Sequence, residues 1–190
     1  EAVMSFQLET IPEDVLSIAK RCLADVCGVT LAGSKTESAK LLFATVAKTY
    51  GIGNCDIVGT HHRMNAPGAA FANGASAHAL DFDDNCYAGI VHGSAVVFPA
   101  VLAAAQQRGT TGSKLLLGFL TGMEVEFAVA RALSNSIYDK GWWTTSVLGA
   151  IGSAAGVAKV AGFNREMTEH ALSLAAVGAG ATRAVRGTTA

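Results

Sequence analysis

The sequence has little charge and little proline. Charged residues make up 15% of its 190 residues, against about 25% in an average soluble domain, whereas hydrophobic residues make up 51%. This excess of apolar side chains excludes an intrinsically disordered chain. It also predicts that some of the surface is covered by something outside these residues. A formal net charge of −1 argues against a nucleic-acid partner, which would require an excess of basic residues on one face.

Only 3 prolines interrupt the chain, so long helices are possible. The 35 alanines favour helix formation, and together with 21 glycines they allow helices to pack closely. A length of 190 residues is that of one ordinary domain. We therefore predict an all-α fold, as one domain or the larger part of one.

Uninterrupted apolar runs of membrane-spanning length, about 18 residues, are also missing. Residues 93–105 run into two glutamines and an arginine, and residues 146–160 contain a lysine. The first residues show no basic-then-apolar pattern of a signal peptide. The four cysteines form no C-x-x-C pair, and Cys22 and Cys27 lie in a helical pattern that predicts buried, reduced thiols. We predict a cytoplasmic protein with no membrane partner.

Apolar residues at helical spacing, bounded by capping residues and glycines, predict helices over most of the chain. The first begins at Pro12, with Thr10 as its capping residue, and ends at Gly33. Residues 55–59 predict a short edge strand or an extended connector. The further helices are predicted at 37–49, 67–80, 95–107, 113–133, 145–161 and 166–179.

The connection between two apolar helices carries a dense group of ionisable side chains. Asp81, Asp83 and Asp84 fall within four positions, where carboxylates repel one another unless they are paired, solvated or used in chemistry. If the preceding helix continues, His78, Asp81 and Asn85 share one face. Asp83 and Asp84 would then point towards helix ends or arginines. Solvated capping is the plainer interpretation of these aspartates.

His92 stands directly before the Gly-Ser start of the next helix, whose N-terminus would favour an anion such as a carboxylate substrate. Magnesium is an open alternative because its ligands are hard oxygens, but the spacing matches no specific metal loop. We predict no metal. His61 and His62 are predicted to be a solvent-facing pair in a polar loop.

A second feature is a glycine- and hydroxyl-rich segment around two tryptophans. Trp142 and Trp143 could wall a pocket, or they could be plain packing residues. The glycines at 149, 152 and 156 predict a close-packing seam rather than a phosphate-binding loop, since no strand precedes them and no Gly-Lys-Ser/Thr follows.

Taken together, these stretches resemble the MmgE/PrpD family. The resemblance rests on ANGASAHALDFDD at 72–84, on HGS at 92–94 followed by Pro99, and on GWWTTSVLG at 141–149 continuing to GSAAG at 152–156. Their order and spacing match the family along essentially the whole chain.

The resemblance implies a two-domain homodimeric enzyme, with a large all-helical domain followed by a smaller α/β lid. Members include 2-methylcitrate dehydratase, cis-aconitate decarboxylase and iminodisuccinate epimerase. They act on small polycarboxylates by proton transfer at the carbon next to a carboxylate, with no required metal or cofactor. Residues 1–190 would then be an incomplete helical domain, and the lid would be absent from the given sequence.

Site residues carried over from the family fall at matching positions. Asp81 matches the family's active-site aspartate, and His92 matches its histidine. Asn85 stands where threonine is common. Trp143 stands where many members have a histidine, and tryptophan cannot exchange protons. The family's active-site lysine would follow the last residues of the given sequence.

Proton removal next to a carboxylate needs a base and a means to stabilise the developing enolate charge. We predict that His92 and Asp81 are the catalytic residues and meet in a shared cleft. The predicted substrate-binding residues offer an amide, hydroxyl or guanidinium group: Asn85, Thr144, Ser146, Arg183 and Arg186.

The leading functional prediction is a lyase, either a dehydratase or a decarboxylase. The alternatives are an epimerase or isomerase of a small dicarboxylate, and a truncated, non-catalytic helical module, since the fragment alone is predicted to be inactive. A metal-dependent hydrolase built on the aspartates is a weaker alternative.

Overall fold

Helices cover most of the chain in the computed structural model, which describes residues 2–87, 89–133 and 136–185. This confirms the predicted all-α fold. A small antiparallel ribbon joins β1 (Cys55–Asp56) to β2 (Arg63–Met64), with Cys55 opposite Met64. The helices of the described residues are α1 (Ala2–Ser5), α2 (Glu13–Gly33), α3 (Glu37–Thr49), α4 (Ala66–His78), α5 (Gly93–Arg108), α6 (Gly112–Leu133), α7 (Ser136–Asp139), α8 (Thr144–Ala161) and α9 (Arg165–Gly178).

The predicted helices lie within a few residues of the observed ones, but the cap predicted for α2 was wrong. Thr10 does not cap that helix. Its hydroxyl donates to the Gln7 carbonyl, 2.9 Å away, within a short 3-10 turn, and Pro12 is the residue that precedes α2. The caps of α3 and α9 follow the ordinary rule, because the side chains of Thr36 and Asn164 accept hydrogen bonds from backbone amides in the first turn.

Helix α5 occupies the centre of the fold and packs against α2, α4, α6 and α8. Its side chains Val97, Phe98 and Val101 are almost completely buried, and they form one core with Val26 of α2 and Phe119 of α6. Because α5 is surrounded, it is apolar on nearly every face, as expected for a helix without a solvent side. The first residue of this buried helix directly follows His92.

Helices α6 and α8 meet along glycines, which confirms the predicted close-packing seam. A Cβ atom at Gly118 would lie 3.0 Å from the Gly156 carbonyl oxygen, and one at Gly122 would lie 2.8 Å from the Gly152 oxygen. These distances are shorter than ordinary van der Waals contact, so the two backbones can approach this closely only without side chains at these positions.

Helix α8 is the described helix that is long and apolar enough to cross a membrane, with a mean hydropathy of 1.2 over Thr144–Ala161. Half of that segment is buried inside the protein, where it packs against α5, α6 and α9. Core helices of this kind pass the same test, so the finding is weak support for a membrane span.

The predictions for the cysteines and for the His61–His62 pair are confirmed in part. All four cysteines are free, but Cys27 is exposed, so the prediction that it is buried was wrong; Cys22 is half-buried. His61 and His62 are exposed as predicted, with the His62 ring stacked on Phe43. Several large apolar side chains are also exposed, among them Leu174 and Val177 on α9.

The seam predicts opposite effects for two glycine-to-alanine substitutions. Gly156→Ala places a methyl group 2.8 Å from the Gly118 oxygen and 2.7 Å from Val101 Cγ2, so we expect a loss of roughly 1–3 kcal/mol in the free energy of unfolding. Gly28→Ala is the matched control, because Gly28 lies on the exposed face of α2 and nothing lies within 4 Å of the new methyl group. It should gain about 0.5–1 kcal/mol. Urea unfolding of both variants measures the difference, and equal effects would contradict the seam.

Candidate active site

The polar connection between α4 and α5 is not a continuation of α4. The helix ends at His78, and Asp81 has a φ of 54°, in the left-handed region. Aspartate tolerates this conformation better than most residues. The condition under which His78, Asp81 and Asn85 would share one helix face, a continued α4, is therefore not met. The turn instead carries the following carboxylates back over the end of α4.

Asp83 is the centre of the resulting cluster. Its side chain is fully buried, both of its oxygens lie 3.0 Å from His78 Nδ1, and Oδ2 lies 3.2 Å from His92 Nδ1. The two imidazole rings contact each other edge to face, with centroids 4.9 Å apart. Asp83 was predicted to point towards a helix end or an arginine. It lies between two histidines instead, because burial of its carboxylate requires nearby donors.

The protonation states of this cluster follow from the contacts. Burial alone would raise the pKa of Asp83, but hydrogen bonding and charge from His78 and His92 hold that pKa well below its usual range. The contact with Asp83 in turn raises the pKa of His92 above its ordinary 6.5, against the opposing effect of burial. Asp83 thus stays ionised, and His92 is a stronger proton acceptor than an isolated imidazole.

Asp81 lies on the other side of the same ring. Its Oδ1 atom is 3.9 Å from His92 Nε2, and its side chain is 77% exposed whereas that of His92 is 10% exposed. Asp81 and His92 therefore lie close together, whereas a cleft shared by their side chains and the catalytic roles of both residues stay predictions. Nδ1 of the imidazole faces the buried carboxylate, and Nε2 faces the exposed one.

The backbone around His92 is held by hydrogen bonds from two places, the Asp84 side chain and the start of α8. The Asp84 carboxylate accepts from the Ser94 amide (3.0 Å) and from the Ser94 hydroxyl, at the first turn of α5. Asp84 thus lies at a helix end, one of the two surroundings considered for it, although α4 does not continue. The His92 amide donates to the Thr145 hydroxyl (3.1 Å), and the neighbouring Thr144 hydroxyl donates to the Ile90 carbonyl. The start of α8 thus holds the start of α5.

The second predicted feature lies beside the cluster. The ring of Trp143 is 6.3 Å from the ring of His92, centroid to centroid. Trp143 and His78 also line a groove of about 440 Å³ between α4, α5 and α8, whose other walls are mostly small or apolar residues. The position where many family members have a histidine is therefore next to His92 in space.

The predicted substrate-binding residues have different surroundings. Thr144 is fully buried and its hydroxyl is bound to the Ile90 carbonyl, so it supports the backbone. Ser146 lines the groove and donates to the Gly180 carbonyl (2.7 Å), and Asn85 is exposed. The guanidinium group of Arg183 lies over the ring of Tyr138, 4.4 Å from its centroid. Arg186 lies outside the described residues. A substrate-binding role for these residues stays a prediction.

Sequence reasoning missed Asp83 and the part played by His78. The available signal was the spacing: a histidine five residues before and another nine residues after the same aspartate. Only the reversal of the chain at Asp81 brings the three together, and one sequence does not reveal that turn.

Among the residues that the structure describes, this cluster is the group whose side chains could hold a metal ion. Ligand atoms of His78, Asp81, Asp83 and His92 all lie within 4.8 Å of one another. Hydrogen bonding and ion pairing between the imidazoles and Asp83 already account for the short distances without an ion. The absence of a metal stays a prediction.

We predict that Asp83→Asn lowers the pKa of His92 towards or below 6.5, because the charge that raises it is removed. Stability should change with pH as well. The contribution of Asp83 is lost below about pH 4, and that of His92 is complete below about pH 6.5 and lost as the pH rises through its higher folded value. The stability that Asp83 and His92 provide is therefore greatest between about pH 4 and 6.5. In Asp83→Asn this maximum in stability should be smaller.

Histidine ring NMR titrations and thermal unfolding across this pH range measure both effects. Asp25→Asn, which changes an exposed aspartate on α2, is the control. An unchanged His92 titration in Asp83→Asn would show that Asp83 does not set its pKa.

Comparison with known proteins shows the family of the chain. The sequence profile described as MmgE/PrpD N-terminal domain matches residues 1–190. The chain is 29% identical over 184 residues to a cis-aconitate decarboxylase-like protein, oryM, of Aspergillus oryzae, covering 93% of this chain and 38% of the relative. It is 27% identical to cis-aconitate decarboxylase of Aspergillus terreus (88% and 35% covered) and 29% identical to that of Homo sapiens (96% and 39%). The chain thus spans less than two-fifths of these relatives, and it belongs to the MmgE/PrpD family.

Proposed function

We propose that the full-length protein is a lyase that acts on a small polycarboxylate, and that His92 transfers the proton at the carbon next to a carboxylate. The observation that carries this proposal is the placement of His92 between the buried Asp83 and the exposed Asp81. The names of the relatives favour decarboxylation of a substrate similar to cis-aconitate. Dehydration is the nearest variant, and a homodimer in the cytoplasm is the assembly and location that we propose.

The geometry suits His92 as a proton donor and acceptor. Asp83, at 3.2 Å from Nδ1, favours a proton on that nitrogen, so Nε2 is the atom that exchanges its proton with a substrate. The raised pKa of His92 increases the protonated fraction near neutral pH. In a decarboxylation, the bond from carbon to the departing carboxylate breaks, CO₂ leaves, and the carbon that keeps the electron pair takes a proton from Nε2.

An epimerase or isomerase is the second candidate, and Trp143 counts against it. A reaction that both removes and returns a proton on opposite faces needs two exchanging groups. Trp143 cannot be one of them, although it occupies the position beside His92 where many family members have a histidine. This favours a single-histidine lyase over an epimerase that would rely on that second histidine.

We predict that His92→Ala reduces the turnover of the full-length protein on its polycarboxylate substrate by a factor of about 100 or more, because the proton-transfer group is removed. His61→Ala is the matched control, since His61 is exposed in the loop between β1 and β2, and it should keep normal turnover. Steady-state assays of both variants give the result. Near-normal turnover in His92→Ala would remove this residue from the mechanism.

The reaction type is decided by a screen in heavy water with citrate, 2-methylcitrate, cis-aconitate and iminodisuccinate. A decarboxylase releases CO₂ and leaves deuterium on the product carbon, whereas a dehydratase removes a molecule of water from its substrate. Deuterium exchange without net conversion would contradict a lyase and support an epimerase. Mass spectrometry and proton NMR measure these outcomes.

A further inference from the structure

Glu126 of α6 has no part in the chemistry proposed above, yet it is an ionisable side chain with no exposed surface. Neither of its carboxyl oxygens has a hydrogen-bond partner among the residues that the structure describes. It lies one turn after Gly122, where it continues the seam between α6 and α8. A Cβ atom at Gly152 would lie 2.8 Å from Glu126 Cβ and 3.2 Å from Oε2.

The surroundings of Glu126 oppose a negative charge. The facing part of α8, residues 148–156, contains no ionisable side chain, and neither do the first turns of α5 at 93–101. On its own helix, Glu124 is about half exposed and pairs with Arg131 (3.0 Å). The charged group that acts on Glu126 is Asp84, and burial together with this negative charge raises the pKa of Glu126 to about 8. The neutral acid is the form that fits the seam near pH 7.

The same region of α6 supports the start of α5. A Cβ atom at Gly93 would lie 2.8 Å from Met123 Cε and 3.0 Å from Phe127 Cε1, so these α6 side chains touch the residue that follows His92. Asp84 holds the first turn of α5 through Ser94. A second negative charge at Glu126 would therefore act on the carboxylate that fixes this turn and on the helix that supports it.

We propose that Glu126 is a positioning residue which, as a neutral acid, keeps α6 seated on α8 and lets Asp84 hold the start of α5, so that His92 stays in place. Its ionisation loosens this arrangement and gives the enzyme an alkaline limit. The inference rests on the proposed function only in taking His92 as the proton-transfer group.

The first test compares kcat/KM of the full-length wild type, Glu126→Gln and Glu124→Gln from pH 6 to pH 10. A group that ionises near pH 8 should cost the wild type about tenfold between pH 7 and 9. Deprotonation of His92 also lowers activity with rising pH in all three proteins. The loss in Glu126→Gln, which keeps the shape without the charge, should therefore be about tenfold smaller than that of the wild type over this interval. Glu124→Gln is the matched control on the same helix and should follow the wild type. An identical alkaline loss in Glu126→Gln and the wild type would overturn the proposal.

A second measurement does not depend on any reaction. Since the folded pKa of Glu126 exceeds its unfolded value of 4.5, the stability that depends on it is complete below about pH 4.5 and lost as the pH rises to about 8. The wild-type unfolding temperature should therefore fall over this interval more steeply than that of Glu126→Gln. Equal slopes would contradict the inference.

A third readout requires only the wild type and covers the case in which Glu126→Gln fails to fold. Carbon-13 NMR of the full-length protein labelled at glutamate Cδ should show one carboxyl that remains protonated at pH 7. If every glutamate titrates near 4.5, Glu126 is not a neutral acid. Failure to find turnover on any polycarboxylate would count against the proposed function and leave this measurement intact.

Discussion

The buried carboxylate of Asp83 is the constraint on which the site depends. Moving a charge of this kind away from water costs several kcal/mol unless polar partners compensate. The partners here are two imidazoles, one from the last residue of α4 and one from the residue before α5. A single charge therefore determines how the two helices are joined. The imidazoles can themselves be protonated. The contact between Asp83 and His92 therefore compensates for the burial of the carboxylate and also raises the pKa of His92.

The glycine seam is the second constraint, and it acts at a distance. Four glycines bring α6 and α8 close enough for backbone contact. The start of α8 supplies Thr144 and Thr145, which bind the backbone at Ile90 and His92. The position of His92 consequently depends on two helices that contribute no side chain to the cluster of Asp83, His78 and His92. Close packing of α6 against α8 thus helps to hold the imidazole of His92 in one orientation.

The sequence predicted the helices well because their signals are local. Helix α3 has the predicted bounds, and the seam was evident from glycines three and four residues apart. The site was predicted only in part. Asp81 and His92 came from family resemblance and do meet, whereas Asp83 was misplaced because a continued helix was assumed. Thr144 shows the same limit, since hydroxyls that bind backbone and those that face a groove look alike in a sequence. Such distinctions depend on tertiary contacts.

The left-handed backbone at Asp81 limits which amino acids this position can accept. Glycine, asparagine and aspartate adopt a φ of 54° more readily than other residues do, whereas β-branched residues are strained there. The turn thus restricts the choice of amino acid at this position, and of the three only aspartate places a negative charge beside His92 Nε2. Backbone conformation and the charge that faces the imidazole thus favour the same amino acid, so Asp81→Asn would keep the turn while removing the negative charge.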